Sequence, residues 1–350
     1  MIVQFVLQTL SLTGGVRVVF EHAVRLRRRG HEVRLLVPRM RAPRGSVSLG
    51  RWKSYLYERW RGGAADGLRD YGLEDAVFHI DPGRPDSWPE AAATFATAWH
   101  TAEWLAAAPA RVGRRLYLLQ QYEAWTEGLR DRVDATWRLP LEKVVIAGWL
   151  ERLAAERFGS AVKRIPNGVD GARFPRRTAP ATDPLTVGML YDIATWKGID
   201  DGLKALSLVH QVNPSVHFLL FGRNRMRHRL PPTARYLREP RQRDLPALYR
   251  QMDVFANSSH SEGFSLVTLE AMSSGCVLVA TAVGEVPEMG RVGQDYRMVP
   301  AHDPQAMARE ILALCGDRQA IRAIADAGHR LASTYTWERA TDALERILLT

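Results

Sequence analysis

Two acids, Glu262 and Glu270, stand eight positions apart in the stretch SSHSEGFSLVTLEAMSSGCVLVAT, residues 258–281. Glu262 follows the predicted strand end DVFANSS and precedes Gly263, whereas Glu270 falls in a helix predicted around LVTLEAMSSG. Eight helical residues rise about 12 Å, too far for two carboxyls to share one proton. The two acids are therefore expected to touch different parts of one long ligand. An ionised carboxylate accepts two hydrogen bonds and suits the vicinal hydroxyls of a ribose or a hexose. The amides of Gly263, Phe264 and Ser265, at the expected start of the helix, offer a seat for phosphate. Sugar, phosphate and ribose in one extended molecule describe a nucleotide sugar. The plainer reading makes Glu262 a loop cap and Glu270 a salt-bridged helix residue.

The elements around these acids read as alternating strands and helices. IVQFVLQTL, the glycine loop at Gly14 and Gly15, the helix VRVVFEHAVRLRRRG and the strand HEVRLLVP form a βαβ unit. Strand-like runs follow at AVFHI, ATFAT, RLYLLQ and KVVIAG, with helices near 99–107 and 149–158. Residues 160–184, rich in Pro, Gly and Thr, read as a linker. A second alternating series then runs through LTVGML, VHFLLFG, VFANSS and CVLVAT, and WERATDALERILLT closes the chain as an amphipathic helix with Thr336 as its cap. The fold class expected is α/β, with two facing doubly wound Rossmann-like domains and a cleft between them. Expected boundaries are 1–165, with helix 336–350 packing back on that domain, and 166–335.

Composition narrows the alternatives. The chain has 350 residues, ordinary globular hydrophobicity and only two cysteines, Cys276 and Cys315, without metal-ligand spacing. Met1 opens directly onto a strand, and no apolar run approaches the ~18 residues of a spanning helix. A cytoplasmic location is expected. The net charge of +10 is accounted for by residues 25–61, where twelve Arg and Lys face only Glu32 and Glu58 and where Trp52, Tyr55, Tyr57 and Trp60 also lie. Such a segment suits an anionic membrane surface, a nucleic acid or an anionic substrate, and equally a solvated arginine-rich face.

The acidic stretch, with GEVPE at 284–288 after it, resembles the retaining, metal-independent glycosyltransferases of family GT4 (group 1), which have the GT-B fold. Further agreement comes from Gly14 and Gly15, IPNGVD at 165–170, VGMLYDIATWKGIDDGLKA at 187–205 and LPALYRQMDVFANSS at 245–259. The resemblance implies that Glu262 faces the donor sugar hydroxyls and Glu270 the ribose. Gly263, Phe264 and Ser265 would supply backbone contacts to sugar and diphosphate, Lys197 would neutralise the diphosphate, and Gly14 and Gly15 would let the first loop approach donor and acceptor. With no DxD triplet, no metal or cofactor is expected.

Two positions depart from the family pattern. Met189 stands where an arginine is usual, making Arg223 the nearest replacement, and RLYLLQ runs into Gln121, Tyr122 and Glu123 where a histidine is usual, making His100 its candidate substitute. YLLQQYEAW and YDIATWKG resemble a subgroup that includes bacterial rhamnosyltransferases, which implies a surface-polysaccharide or glycan role. The partners expected are a UDP-, GDP- or dTDP-sugar and a glycan, lipid-linked or other hydroxyl acceptor, with peripheral membrane contact through 25–61 and no nucleic acid. The alternative is an anionic membrane- or nucleic-acid-binding protein of the same fold with little or no transferase activity. A nicotinamide oxidoreductase would share the sheet architecture, but no GxGxxG follows a predicted strand.

Overall fold

The computed structural model describes residues 1–39, 65–123, 128–178 and 183–350. The chain divides into two compact units, one of Met1–Ile165 with Ala340–Thr350, the other of Pro166–Arg339. Among the described residues no helix is long and apolar enough to cross a membrane.

Among the described residues the first unit holds seven parallel strands, β1 (Ile2–Val6), β2 (Glu32–Pro38), β3 (Val77–Ile80), β4 (Ala93–Ala96), β5 (Arg114–Leu119), β6 (Glu142–Val145) and β7 (Val162–Arg164), in the order β3-β2-β1-β4-β5-β6-β7. A strand covered on both faces must be apolar along its length rather than at alternate positions. β1 meets that demand with Val3, Phe5 and Val6 wholly buried, and Phe5 lies between Leu35 and Phe95, stacked on the latter at 5.0 Å. The Thr13 side chain caps the helix Gly14–Arg28 by accepting from the Val16 amide, and Arg25, Arg27 and Arg28 complement the negative end of its dipole.

Four arginines of the basic segment are committed within this unit. Arg25 pairs with Glu21, Arg27 with Asp75, Arg29 with Asp342 and Glu345, and Arg34 with Glu32. Much of the remaining segment, including its four aromatic residues, lies outside the described residues. In the first part of the segment these guanidiniums are paired within the fold.

Among the described residues the second unit holds six parallel strands, β8 (Thr186–Leu190), β9 (His217–Gly222), β10 (Ala234–Arg238), β11 (Val254–Asn257), β12 (Val277–Thr281) and β13 (Arg297–Val299), ordered β10-β9-β8-β11-β12-β13. Val187, Phe218, Val254 and Val277 join Leu206, Val209 and Ile311 in a dry core against the helices Ile199–Val212 and Pro304–Leu314. Part of the expected linker belongs to this unit's packing. Asn167, Val169 and Phe174 are buried, Val169 bridges to Thr336, and Gly168 lies so close to the Thr336–Trp337 peptide that a Cβ would overlap it.

Both strand orders reverse direction in mid-sheet, between β1 and β4 in one unit and between β8 and β11 in the other. Loops leaving the two strands at such a switch diverge to opposite faces and open a crevice at the carboxyl ends, where open α/β sheets bind ligands. In the first unit those loops lead to Gly14, Gly15 and His100; in the second they lead to Lys197 and Glu262.

Candidate active site

In the second unit, Lys197 and Glu262 meet although 65 residues separate them in sequence: Lys197 Nζ lies 2.7 Å from Glu262 Oε1. Lys197 ends the short turn Thr195–Lys197 after β8, and Glu262 follows β11. Their side chains are 23% and 10% exposed, so the ammonium is reachable while the carboxylate is held. Ser259 Oγ lies 2.7 Å from the same Glu262 oxygen and 2.8 Å from Asn257 Oδ1, and Asn257 Nδ2 donates to Ser265 Oγ at 3.2 Å. Gly284 packs against the far side of Glu262, where an added Cβ would come within 2.9 Å of the glutamate Cβ. The carboxylate is thus held from several sides, and the lysine is its more exposed partner.

Glu270 lies on the helix Leu266–Ser273, 3% exposed, and Oε2 accepts from the Tyr249 hydroxyl at 3.0 Å. The helix begins at Leu266, the first residue of the LVTLEAMSSG stretch, and Ser265 before it takes a left-handed backbone (φ 71°) that ends the preceding loop. Gly263, Phe264 and Ser265 therefore precede the helix rather than form its first turn, and the Phe264 ring packs edge-on to Tyr335 at 5.7 Å. Met189 is buried in the core, its thioether filling the space a side chain at Gly202 would need. Arg223 is exposed just after β9. The Tyr191 hydroxyl anchors its loop by meeting His228 Nδ1 at 2.8 Å and accepting from the Arg227 amide at 3.1 Å.

In the first unit, Gly15 receives a hydrogen bond on its carbonyl from Gln120 Nε2 at 3.2 Å, and a Cβ there would lie 3.2 Å from the same nitrogen. His100 stands edge-on between Trp99 and Trp104, and its Nε2 has no hydrogen-bond partner among the described residues. Burial holds its imidazole below the ordinary value, with Arg132 adding to the effect and Glu103 opposing it. Such a ring is neutral near pH 7 and can accept a proton or a hydrogen bond. Tyr122 gives its hydroxyl to Asp134 at 2.6 Å, and Asp134 is paired in turn with Arg157. Gln121 lies beside it, half-buried.

Glu123 caps the helix Trp99–Ala106 by accepting from the Trp99 amide at 2.8 Å, and burial pushes its carboxyl up to about 7. A folded value above the ordinary 4.5 means that the native protein keeps a proton the unfolded chain releases. Stability contributed at low pH is then lost as pH rises from about 4.5 to about 7. Glu123→Gln should flatten that fall, worth roughly 2–3 kcal/mol. Denaturant unfolding of both proteins at pH 5 and pH 8 checks it, and parallel pH dependences would refute it.

Residues 182–317, which include Lys197, Glu262 and Glu270, match the family model described as glycosyl transferases group 1. Over these residues the chain is similar to the group 1 glycosyltransferases. A stretch of 101 residues is 38% identical to D-inositol 3-phosphate glycosyltransferase of Salinispora arenicola, covering 29% of this chain and 22% of that one. Glycogen synthase of Mycobacterium tuberculosis is 27% identical over 286 residues, 71% of this chain and 68% of its own. The chain thus spans only about a fifth of the inositol phosphate enzyme. Among solved structures, HepE of Anabaena in complex with UDP-glucose superposes over 99% of both chains with TM-score 0.76 at 17% identity. Sucrose-phosphate synthase from Thermosynechococcus elongatus superposes with TM-score 0.74 at 14% identity, over 99% of each chain. These likenesses establish the GT-B fold.

Around the two glutamates, sequence reasoning missed the polar supports. Asn257, Ser259 and Tyr249 hold the two glutamates, and the signal for the first two was a run of small polar residues at the end of an apolar strand. Nothing in sequence marks Tyr249, which reaches Glu270 from 21 positions away.

Proposed function

We propose that the protein transfers a hexose or deoxyhexose from a nucleoside-diphosphate sugar to a hydroxyl acceptor, with retention of anomeric configuration. The observation that carries this reading is the Lys197–Glu262 pair at the switch point of the second sheet, with Glu270 held by Tyr249 further along the same segment. Glu262 orients the sugar hydroxyls, and Glu270 accepts from the ribose. Lys197 turns from Glu262 to the diphosphate as negative charge builds on the departing oxygen, assisted by the amides of Gly263, Phe264 and Ser265.

No side-chain nucleophile is required when the acceptor hydroxyl attacks from the side the diphosphate leaves: the leaving oxygen takes the acceptor proton, and the protein supplies position and charge. The UDP-glucose bound by HepE supports a nucleotide sugar as donor. The LQQYE stretch, resembling enzymes that build bacterial polysaccharides, supports a glycan or lipid-linked acceptor, with dTDP-rhamnose among the donors. With no DxD triplet in the chain, the charge of the leaving group falls to Lys197 and the backbone.

The test is a binding screen of UDP-, GDP-, ADP- and dTDP-sugars by thermal shift and calorimetry. One nucleotide class is expected to bind, with the affinity falling at least about tenfold in Glu270→Gln, as expected when a charged hydrogen-bond acceptor is lost. Absence of binding by all four classes would refute the assignment.

A further inference from the structure

Three loops at the carboxyl edge of the second sheet bring together Asp201, His260 and His302. Asp201 lies in the first turn of the helix Ile199–Val212, His260 in the loop after β11, and His302 in the loop between β13 and the helix Pro304–Leu314. His260 Nε2 lies 2.8 Å and His302 Nδ1 3.7 Å from the same oxygen, Asp201 Oδ2, and one ligand atom from each residue lies within 4.8 Å of the other two. The imidazole rings overlap, with centroids 3.7 Å apart.

We propose that Asp201, His260 and His302 form a binding site for a divalent transition-metal ion of the zinc class. Two imidazole nitrogens and one carboxylate oxygen suit such an ion rather than magnesium or calcium, which prefer oxygen throughout. Zinc bonds of about 2.0–2.2 Å place tetrahedral donors roughly 3.4 Å apart, between the two separations seen here. His302 is 69% exposed in its side chain, against 23% for His260 and 29% for Asp201, so the fourth position opens to solvent and a path of entry exists.

Two backbone features hold this arrangement. His302 has φ 61°, the left-handed conformation in which glycine is the undemanding choice, so a bulky side chain occupies a position the backbone disfavours. Gly198, with φ 58°, lies against His260: a Cβ there would come within 2.7 Å of the His260 ring nitrogen, and glycine leaves the ring room to reach Asp201. The His260 amide is tied to the Trp196 carbonyl at 2.8 Å. A bound ion replaces the proton between His260 Nε2 and the Asp201 carboxylate and clamps the loop carrying Glu262 to the segment carrying Lys197. The site is separate from the diphosphate contacts proposed above and stands without them.

The test uses the full chain free of any affinity tag, with Zn²⁺ alone as the probe. Calorimetry or competition against a fluorescent chelator should show one ion per chain, and Co²⁺ should give visible absorption bands. His302→Gly relieves the left-handed backbone and removes one ligand, so it should fold as well as the parent while binding Zn²⁺ at least about tenfold more weakly, with the Co²⁺ bands lost. His260→Gln and Asp201→Asn should weaken binding similarly, and saturating Zn²⁺ should raise Tm in the parent more than in His302→Gly. No uptake by the parent, or uptake undiminished in His302→Gly, would overturn the proposal.

Discussion

Lys197→Ala should lower kcat by about 10²–10³-fold, the usual cost of deleting one charge-stabilising donor from an enclosed site. The loss should fall mainly on kcat, because the donor charge that Lys197 meets grows as the bond to the diphosphate breaks. In the ground state the ammonium is already satisfied by Glu262. Removing it leaves the glutamate with Ser259, so folding is expected to survive, and circular dichroism with a melting curve checks that first. Glu262→Gln keeps one acceptor oxygen but frees the lysine, and should affect KM for the donor more than Lys197→Ala does. The double variant should lose less than the sum of the two single effects, since the residues act as a unit. Turnover of Lys197→Ala within about threefold of the parent would remove the lysine from the reaction scheme, well inside the loss expected for such a donor.

The second large effect concerns stability. Asp253, wholly buried, pairs with Arg177 at 2.5 Å, and its other oxygen accepts from the Thr186 amide at 2.8 Å. The Arg177 side chain is only 9% exposed. Asp253→Ala strands that guanidinium without its carboxylate and leaves the Thr186 amide without its acceptor at the first residue of β8. Breaking a buried pair from one side costs about 3–5 kcal/mol. Set against a whole-domain stability of roughly 5–15 kcal/mol, such a loss brings the second unit close to unfolding. Urea denaturation should show the loss, while Asp253→Asn, which can still accept from Thr186, should fall between variant and parent. A change below about 1 kcal/mol in Asp253→Ala would contradict this account, since that is the range of exposed pairs.

The long apolar strands β1, β5, β9 and β12 were legible in the sequence because a parallel strand buried on both faces writes a continuous hydrophobic run. The strands β7 (VKR), β10 (ARYLR) and β13 (RMV) were not. Each is an edge strand, where charged side chains are expected and periodicity fades. The helix cap at Thr336 was legible from residue type alone, and its hydroxyl accepts from the Arg339 amide at 3.2 Å. Glu262 and Lys197 were each singled out by motif, yet their contact is a product of strand order, which local sequence does not encode. Asp201, His260 and His302 are the clearest case: three residues from three loops, without a recognisable spacing, adjoin only because β8, β11, β12 and β13 lie side by side.

The helix Trp337–Leu349 starts in the second unit and finishes on the first, where Asp342 and Glu345 meet Arg29, Glu345 meets His31, and the Ile347 and Leu348 carbonyls accept from Arg114. During synthesis, the partners of Arg29, His31 and Arg114 in this helix emerge only after the entire second unit has been made. The N-terminal unit, although translated first, is the last to be completed, and a chain released early would carry a finished second sheet and an unsealed first one.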